Sequence, residues 1–240
     1  GHHQYYNDTN YNNCNAISQK SLGVQHFVIH RWQRVLVFVL FSLLTGCFGF
    51  GGGDKEADDM QPRFYIVDVD RGNVAAEFAQ NRVLRIKPVR IAPHYRTENI
   101  VFRIGENEYQ PQAGHLLLTD PQVMFTSQLQ RWLSKSGLFS DVITDDSQPA
   151  DLVLEAAVTK LYGDDRAEYP PQAVLEMQFF MSPGDADRSK MLFQTGFRVD
   201  ASIDETNPQT VVTGWQNALE EILATLEQDL SDYFDKAGTP

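Results

Sequence analysis

Between Phe64 and Ile203 apolar and polar positions alternate in short runs, the period of two expected of half-buried strands. Phe64-Tyr65-Ile66-Val67-Asp68-Val69 reads as a first short strand. Val83 to Ala92 reads as a longer one, in which Pro88 cannot donate to a ladder and marks an edge or a bulge. Ile100, Phe102 and Ile104 alternate with Val101 and Arg103 in a third. Leu152, Leu154, Ala156 and Val158 share one face of a fourth, and Ala173, Leu175, Met177, Phe179 and Met181 one face of a fifth. Met191 through Ile203 gives the sixth and longest, after the turn signal Pro183-Gly184-Asp185.

Two stretches switch to helical spacing. Asp120 can cap a helix and Pro121 suits its first position. Phe125, Leu129, Trp132 and Leu133 then form one apolar stripe, and Gly137 is placed to end the helix before Leu138 and Phe139 turn inward. Asn207-Pro208 starts the second helix, with Val211, Trp215, Ala218, Ile222, Leu226, Leu230 and Tyr233 on one face and Glu220, Glu221, Glu227, Asp229 and Asp232 outside. Gly214 costs a helix about 1 kcal/mol, which leaves a strand over Thr210–Thr213 as the alternative. Three strands, a helix, three strands and a helix predict an α+β domain over residues 63–236. Its mostly antiparallel sheet of about six strands would carry two helices on one face.

A different pattern precedes the domain. His30 to Arg34 gives a positive flank, Val35–Leu44 a ten-residue apolar segment, and Leu44-Thr45-Gly46-Cys47 small residues before a cysteine. A spanning helix needs roughly 20 apolar residues, so residues 30–46 read as a secretory signal peptide. The ending resembles the bacterial lipoprotein box, in which the cysteine, here Cys47, is acylated (palmitate being one such chain) and becomes the first mature residue. Each buried acyl CH₂ contributes about 0.8 kcal/mol, so two or more chains anchor stably. Residues 47–62, with Gly51-Gly52-Gly53 and Asp54 to Asp59, read as a flexible, solvated tether. In Gram-negative lipoproteins Asp after the cysteine favours inner-membrane retention. Phe48 at that position implies the periplasmic side of the outer membrane. Residues 1–29 contain no Met and carry five Asn from Asn7 to Asn15. They read as an unassigned leader or an over-extended start, with Val24 or Val28 as alternative initiators.

The formal charge is −12. Residues 1–46 carry Lys20, Arg31, Arg34 and Asp8, a net of +2, which leaves −14 for the rest. Such a surface is repelled by nucleic-acid phosphates, and no basic stripe offsets it. Two cysteines, Cys14 and Cys47, support neither a disulfide framework nor a thiolate metal site. No cofactor or metal motif of the HExxH, Walker or GxGxxG kind occurs. His94 and His115 are the histidines of the mature chain, and Ser127, Ser134 and Ser136 fall on a helix without a GxSxG elbow. Asp164 and Asp165 in "LYGDD" could form an acid pair, but adjacent acids at a strand end more often mark a solvated turn. These patterns predict no enzyme. Arg103 and Arg198 fall on strand faces opposite the apolar one, placed for lipid headgroups or a partner's carboxylates, or simply for solvent. Val174, Phe180 and Leu192 form an apolar cluster on that second face, which predicts a covering partner or a second core.

In order, "FYIVDV", "VLRIKPVRIAPHYRTENIVFRIGENEYQ", "LLLTDPQVMFTSQLQRWLSKSGLFSDV", "ADLVLEAAVTKLYGDD" and "NALEEILATLEQDL" resemble the ABC-type transport auxiliary lipoprotein family over nearly all of Phe64–Tyr233. The resemblance implies a non-enzymatic component of an intermembrane lipid (phospholipid) transport system. In such systems an inner-membrane ABC transporter works with a periplasmic conduit carrying mammalian-cell-entry domains. The lipoprotein docks that conduit at the outer membrane, and some members form homo-oligomeric rings. Arg103 and Tyr109 match recurrent family positions, whereas Gly114-His115-Leu116 replaces a frequent Trp. The alternative is a periplasmic lipid carrier or chaperone with an apolar cavity between sheet and helices; a hydrolase would need a Ser or acid pair beside a histidine in a cleft.

Overall fold

A computed structural model describes residues 61–75, 81–184 and 190–238. All of them fall in the unit Glu56–Pro240. The signal peptide, Cys47 and the tether to Asp59 lie outside the described residues. The elements in chain order are β1 (Arg63–Tyr65), β2 (Val83–Ile86), β3 (Arg90–Ile91), a 3-10 turn (Pro93–Tyr95), β4 (Asn99–Arg103), β5 (Tyr109–Leu117), α1 (Pro121–Lys135), β6 (Asp141–Ile143), β7 (Leu152–Asp164), β8 (Gln172–Pro183), β9 (Phe193–Ser202) and α2 (Pro208–Ala237).

Strand β7 organises the sheet. Along one edge it pairs antiparallel with β8 from Leu152↔Pro183 to Asp164↔Gln172, and β8 pairs antiparallel with β9. The other edge takes three strands in turn, all parallel: β2 at Leu84↔Leu152, β3 at Arg90↔Ala157 and β4 at Phe102↔Gly163. Outside these, β6 adds parallel to β2, β5 antiparallel to β4 and β1 parallel to β5.

The expected six-stranded, mostly antiparallel sheet is therefore corrected to a mixed sheet of nine strands in which five of the eight pairings are parallel. The hairpin pattern after Ala150 holds, because β7–β8–β9 is a local meander. What the pattern could not show is that β2, β3 and β4 return to β7 across more than 60 residues of chain. Pro88 splits the long strand predicted over Val83–Ala92 into β2 and β3.

The helix boundaries follow local chemistry. The Asp120 carboxylate accepts from Gln122 N–H at 2.8 Å, Pro121 opens α1, and Gly137 beyond its end has φ 73°. At α2 the Asn207 side chain accepts from Thr210 N–H at 3.0 Å, and Thr210 Oγ1 accepts from Asn207 N–H at 3.2 Å, a reciprocal capping box. The strand alternative over Thr210–Thr213 is thereby excluded. Both helices bury their apolar stripes in a single core with the inner-facing residues of the sheet. Close approach of α2 depends on two glycines. A Cβ on Gly163 would lie 2.6 Å from Val211 Cγ2, and one on Gly214 would lie 2.4 Å from Ala173 Cβ. Trp215, 1 % exposed, donates its Nε1–H to the Tyr162 carbonyl at 3.3 Å. Among the described residues no helix is long and apolar enough to cross a membrane.

Candidate functional site

Where β4, β5 and β7 end together, the outer face of the sheet carries a cluster of tyrosines and arginines. Register places Arg103 directly beside Tyr109 of β5 and beside Asp164 of β7. Tyr162 shares this face because of a bulge between Val158 and Lys160. Without the extra residue it would point inward with Leu154 and Ala156; with it, Leu161 takes the inner place.

Tyr95, carried in by the 3-10 turn, stacks on Tyr162 with ring centroids 6.0 Å apart and planes at 25°. Tyr109 meets Tyr162 edge-on at 5.6 Å and Tyr95 at 6.2 Å. Tyr95 and Tyr162 are buried, whereas Tyr109 is 41 % exposed. Burial, and then hydrogen bonding with Tyr109, pushes the Tyr95 phenol well above its ordinary pKa. The Arg103 guanidinium lies 5.8 Å from the Tyr109 ring and 5.9 Å from that of Tyr162, within cation–π range.

Arg103 donates from Nη2 to the Glu106 carbonyl at 2.7 Å and from Nε to that of Gly105 at 3.3 Å. The Glu106 carboxylate reaches Arg103 at 3.5 Å and Arg166 at 3.3 Å. Arg166 in turn grips Asp164 with two hydrogen bonds of 2.9 and 2.7 Å and lies 4.1 Å over the Tyr169 ring. Burial alone would raise the Asp164 pKa, but the Arg166 guanidinium and backbone N–H outweigh it and hold the carboxyl below its usual range. Arg103 thus has Nε and Nη2 engaged by the chain itself. It fixes Tyr109 in place, and the outward-facing parts of the cluster are the rings of Tyr109 and Tyr169, 53 % exposed. Rigid, part-exposed aromatic rings backed by arginine suit contact with a protein surface.

Of the residues singled out from sequence, Arg103 and Tyr109 come together. Val174 does not belong to an accessible patch: it is fully buried, opposite Tyr162 in the β7–β8 register. Phe180, half-buried, stands between Glu155 and Gln194, six residues and about 20 Å farther along β8. Leu192 packs against the main core. The expected cluster of Val174, Phe180 and Leu192 is corrected accordingly, since strand rise separates two of its members and the third turns inward. Arg198 is exposed and donates to Asp200 at 2.8 Å. Sequence reasoning passed over Tyr95, Tyr162, Arg166 and Tyr169. The signal for Tyr162 was its place after a stretch where strict alternation fails.

His94 is exposed beside Tyr95, and His115 Nδ1 is hydrogen-bonded to the Tyr65 hydroxyl at 2.9 Å. Asp164, read as part of a solvated turn, is buried in its ion pair with Arg166. No group of three metal-ligating side chains occurs among the described residues. A cleft of about 380 Å³ opens between the two helices, lined among others by Trp132, Leu138, Ala224 and Gln228. Glu227 sits in it, bonded to Arg71 at 2.7 and 2.8 Å and to the Trp132 Nε1–H at 2.9 Å, so it is engaged rather than part of a solvated acidic face.

The fold is similar to that of solved structures. Protein XCC0632 from Xanthomonas campestris, a member of DUF330, superposes with a TM-score of 0.63 at 17% identity, covering 74% of this chain and 99% of its own. An uncharacterized protein gives 0.54 at 14% identity, covering 71% and 99%. No curated protein matches significantly. The sequence from Asp68 to Glu227, two thirds of the chain, matches the model of a described family, and on that match this chain belongs to the family of ABC-type transport auxiliary lipoprotein components.

Proposed function

We propose that this lipoprotein is held at the periplasmic side of the outer membrane by acyl chains on Cys47. There it works without catalysis as the docking component of an intermembrane phospholipid transport system. Its partner is the periplasmic conduit protein with mammalian-cell-entry domains, fed by an inner-membrane ABC transporter. Tyr109, backed by Arg103, is the contact proposed for that partner. The β9 edge, which pairs only with β8 among the described residues, is the edge offered to a second protomer.

The observation that carries the reading is the filled interior. Ala173, Leu175, Met177, Phe179 and Met181 on the helix side of β8, and Val211, Ala218 and Leu226 facing them from α2, are all 0 % exposed. An acyl chain would have to displace close-packed side chains there, each large one worth about 1.5–3 kcal/mol when buried. The polar-lined cleft at Glu227 offers no apolar slot in its place. Among the described residues this packed interior supports action through the surface and speaks against the carrier alternative.

The test is photocrosslinking in native envelopes with benzoylphenylalanine in place of Tyr109. Capture of the mammalian-cell-entry-domain protein is expected, and its loss on Arg103→Ala would show that the guanidinium holds the ring in place. Crosslinks confined to lipid would refute docking at this face. Cys47→Ala should release the chain from membranes; continued sedimentation with the outer-membrane fraction would defeat the anchor.

A further inference from the structure

We propose that the outer face of the β1–β5 pair seats on the bilayer that holds Cys47, with Phe64, Ile66 and Leu118 inserted at the boundary between headgroups and acyl chains. The proposal rests on the lipid-anchor reading above. In the β1–β5 ladder Phe64 stands opposite Leu116 and Tyr65 opposite Leu117, and Leu118 N–H continues it to the Tyr65 carbonyl at 2.7 Å. Ile66 therefore lies beside Leu118. Leu117 and Val67 are buried on the inner side, while Phe64, Ile66 and Leu118 are 55 %, 49 % and 57 % exposed. Three large apolar side chains stand together on a solvent face.

Three features favour a membrane as occupant. β1 begins sixteen residues after Cys47, so even a fully extended chain of about 3.3–3.6 Å per residue holds this edge within about 58 Å of the acylated cysteine. A surface so tethered meets its membrane as an intramolecular event, and weak insertion suffices. Three side chains fall far short of the about 800 Å² per partner that a stable protein interface buries, but they match shallow insertion at a bilayer surface. Finally, the −14 carried beyond Gly46 disfavours adhesion to anionic headgroups by charge, so contact must come through apolar groups such as these.

The experiment uses the full chain purified from membranes, its acyl chains verified by mass spectrometry. It is reconstituted in phosphatidylethanolamine–phosphatidylglycerol vesicles whose lipids are brominated high in the acyl chains. Leu118→Trp and Phe64→Trp place a reporter in the patch, and Val123→Trp places one at an equally exposed position on α1, 59 % exposed. Trp132 and Trp215, 6 % and 1 % exposed, serve as shielded internal references. Severalfold stronger quenching of the patch reporters than of the α1 reporter is expected. Equal or absent quenching with acyl chains present overturns this inference alone, and so does protection of the patch by a second copy or another protein. Absence of acyl chains overturns the anchor reading and this inference with it.

Discussion

Gly214 sets helix propensity against packing. At an exposed helix position, alanine for glycine stabilises by about 1 kcal/mol. At position 214 the new Cβ would lie 2.4 Å from Ala173 Cβ and 3.2 Å from Ile203 Cγ2. Carbon atoms pack at about 3.5–4.0 Å, so more than an ångström of overlap must be relieved. Ala173 Cβ has no rotamer by which to retreat, and its strand is paired on both sides, to Gly163 of β7 and Ala201 of β9. The helix must lift instead, against its reciprocal cap and against Val211 on Gly163. Overpacking costs about 1–3 kcal/mol, and an overlap this large takes the upper end. Net of the propensity gain, Gly214→Ala should destabilise by about 2 kcal/mol, or about 4–8 °C in melting temperature at this domain size. Ala173→Gly alone should cost about 0.5–1 kcal/mol, yet in the Gly214→Ala background it removes the clash, giving a coupling energy of about 3 kcal/mol. Urea denaturation followed by the fluorescence of buried Trp215 measures all four corners of the cycle. A Gly214→Ala chain as stable as the parent, or additive single changes, would refute close packing at this contact.

Two further outcomes follow from burial and charge. Val174→Asp should destabilise by about 3–5 kcal/mol, because it buries a charge without a partner, whereas Phe180→Asp on the half-buried outer face should leave the unfolding midpoint within about 1 kcal/mol; equal effects would contradict the placement of Val174. The folded pKa of Asp164 lies below its unfolded value, so its ion pair adds stability above about pH 4 that is lost as pH falls through the folded pKa. Asp164→Asn should therefore lower stability at neutral pH and converge with the parent in acid; an offset independent of pH would exclude that role.

What the sequence disclosed was mainly local chemistry. Asp120-Pro121, Gly137 and Asn207-Pro208 announce helix ends because capping involves neighbours within a few residues. β5 escaped notice because Tyr109-Gln110-Pro111-Gln112-Ala113-Gly114 is largely exposed, so no alternation is imposed on it. β6, three residues long, is too short to show a period. Parallel pairing was invisible for a different reason: nothing in a strand's own pattern says which distant edge it will meet. Arg103 and Tyr109 stood out through family resemblance, but the side chains around them come from distant parts of the chain: Tyr95 from the 3-10 turn, Tyr162 and Asp164 from β7, and Arg166 from the connection after it. Val174 misled because an outward direction on a strand does not mean solvent when a large ring such as Tyr162 stands opposite it on the same face.

The shared edge of β7 has a consequence for biogenesis. β2, β3 and β4 lie 61 to 68 residues ahead of the positions they pair with, so in a chain delivered N-terminus first across a membrane they arrive before their partner. Throughout that interval three strands present open hydrogen-bonding edges and uncovered Leu, Ile and Phe side chains, a state prone to self-association. Arrival of one segment then satisfies all three together. Chains cut short before Leu152 should consequently be substrates for holdase chaperones and proteases rather than partly folded intermediates, and stability in the first half of the domain is borrowed from a strand made in the second.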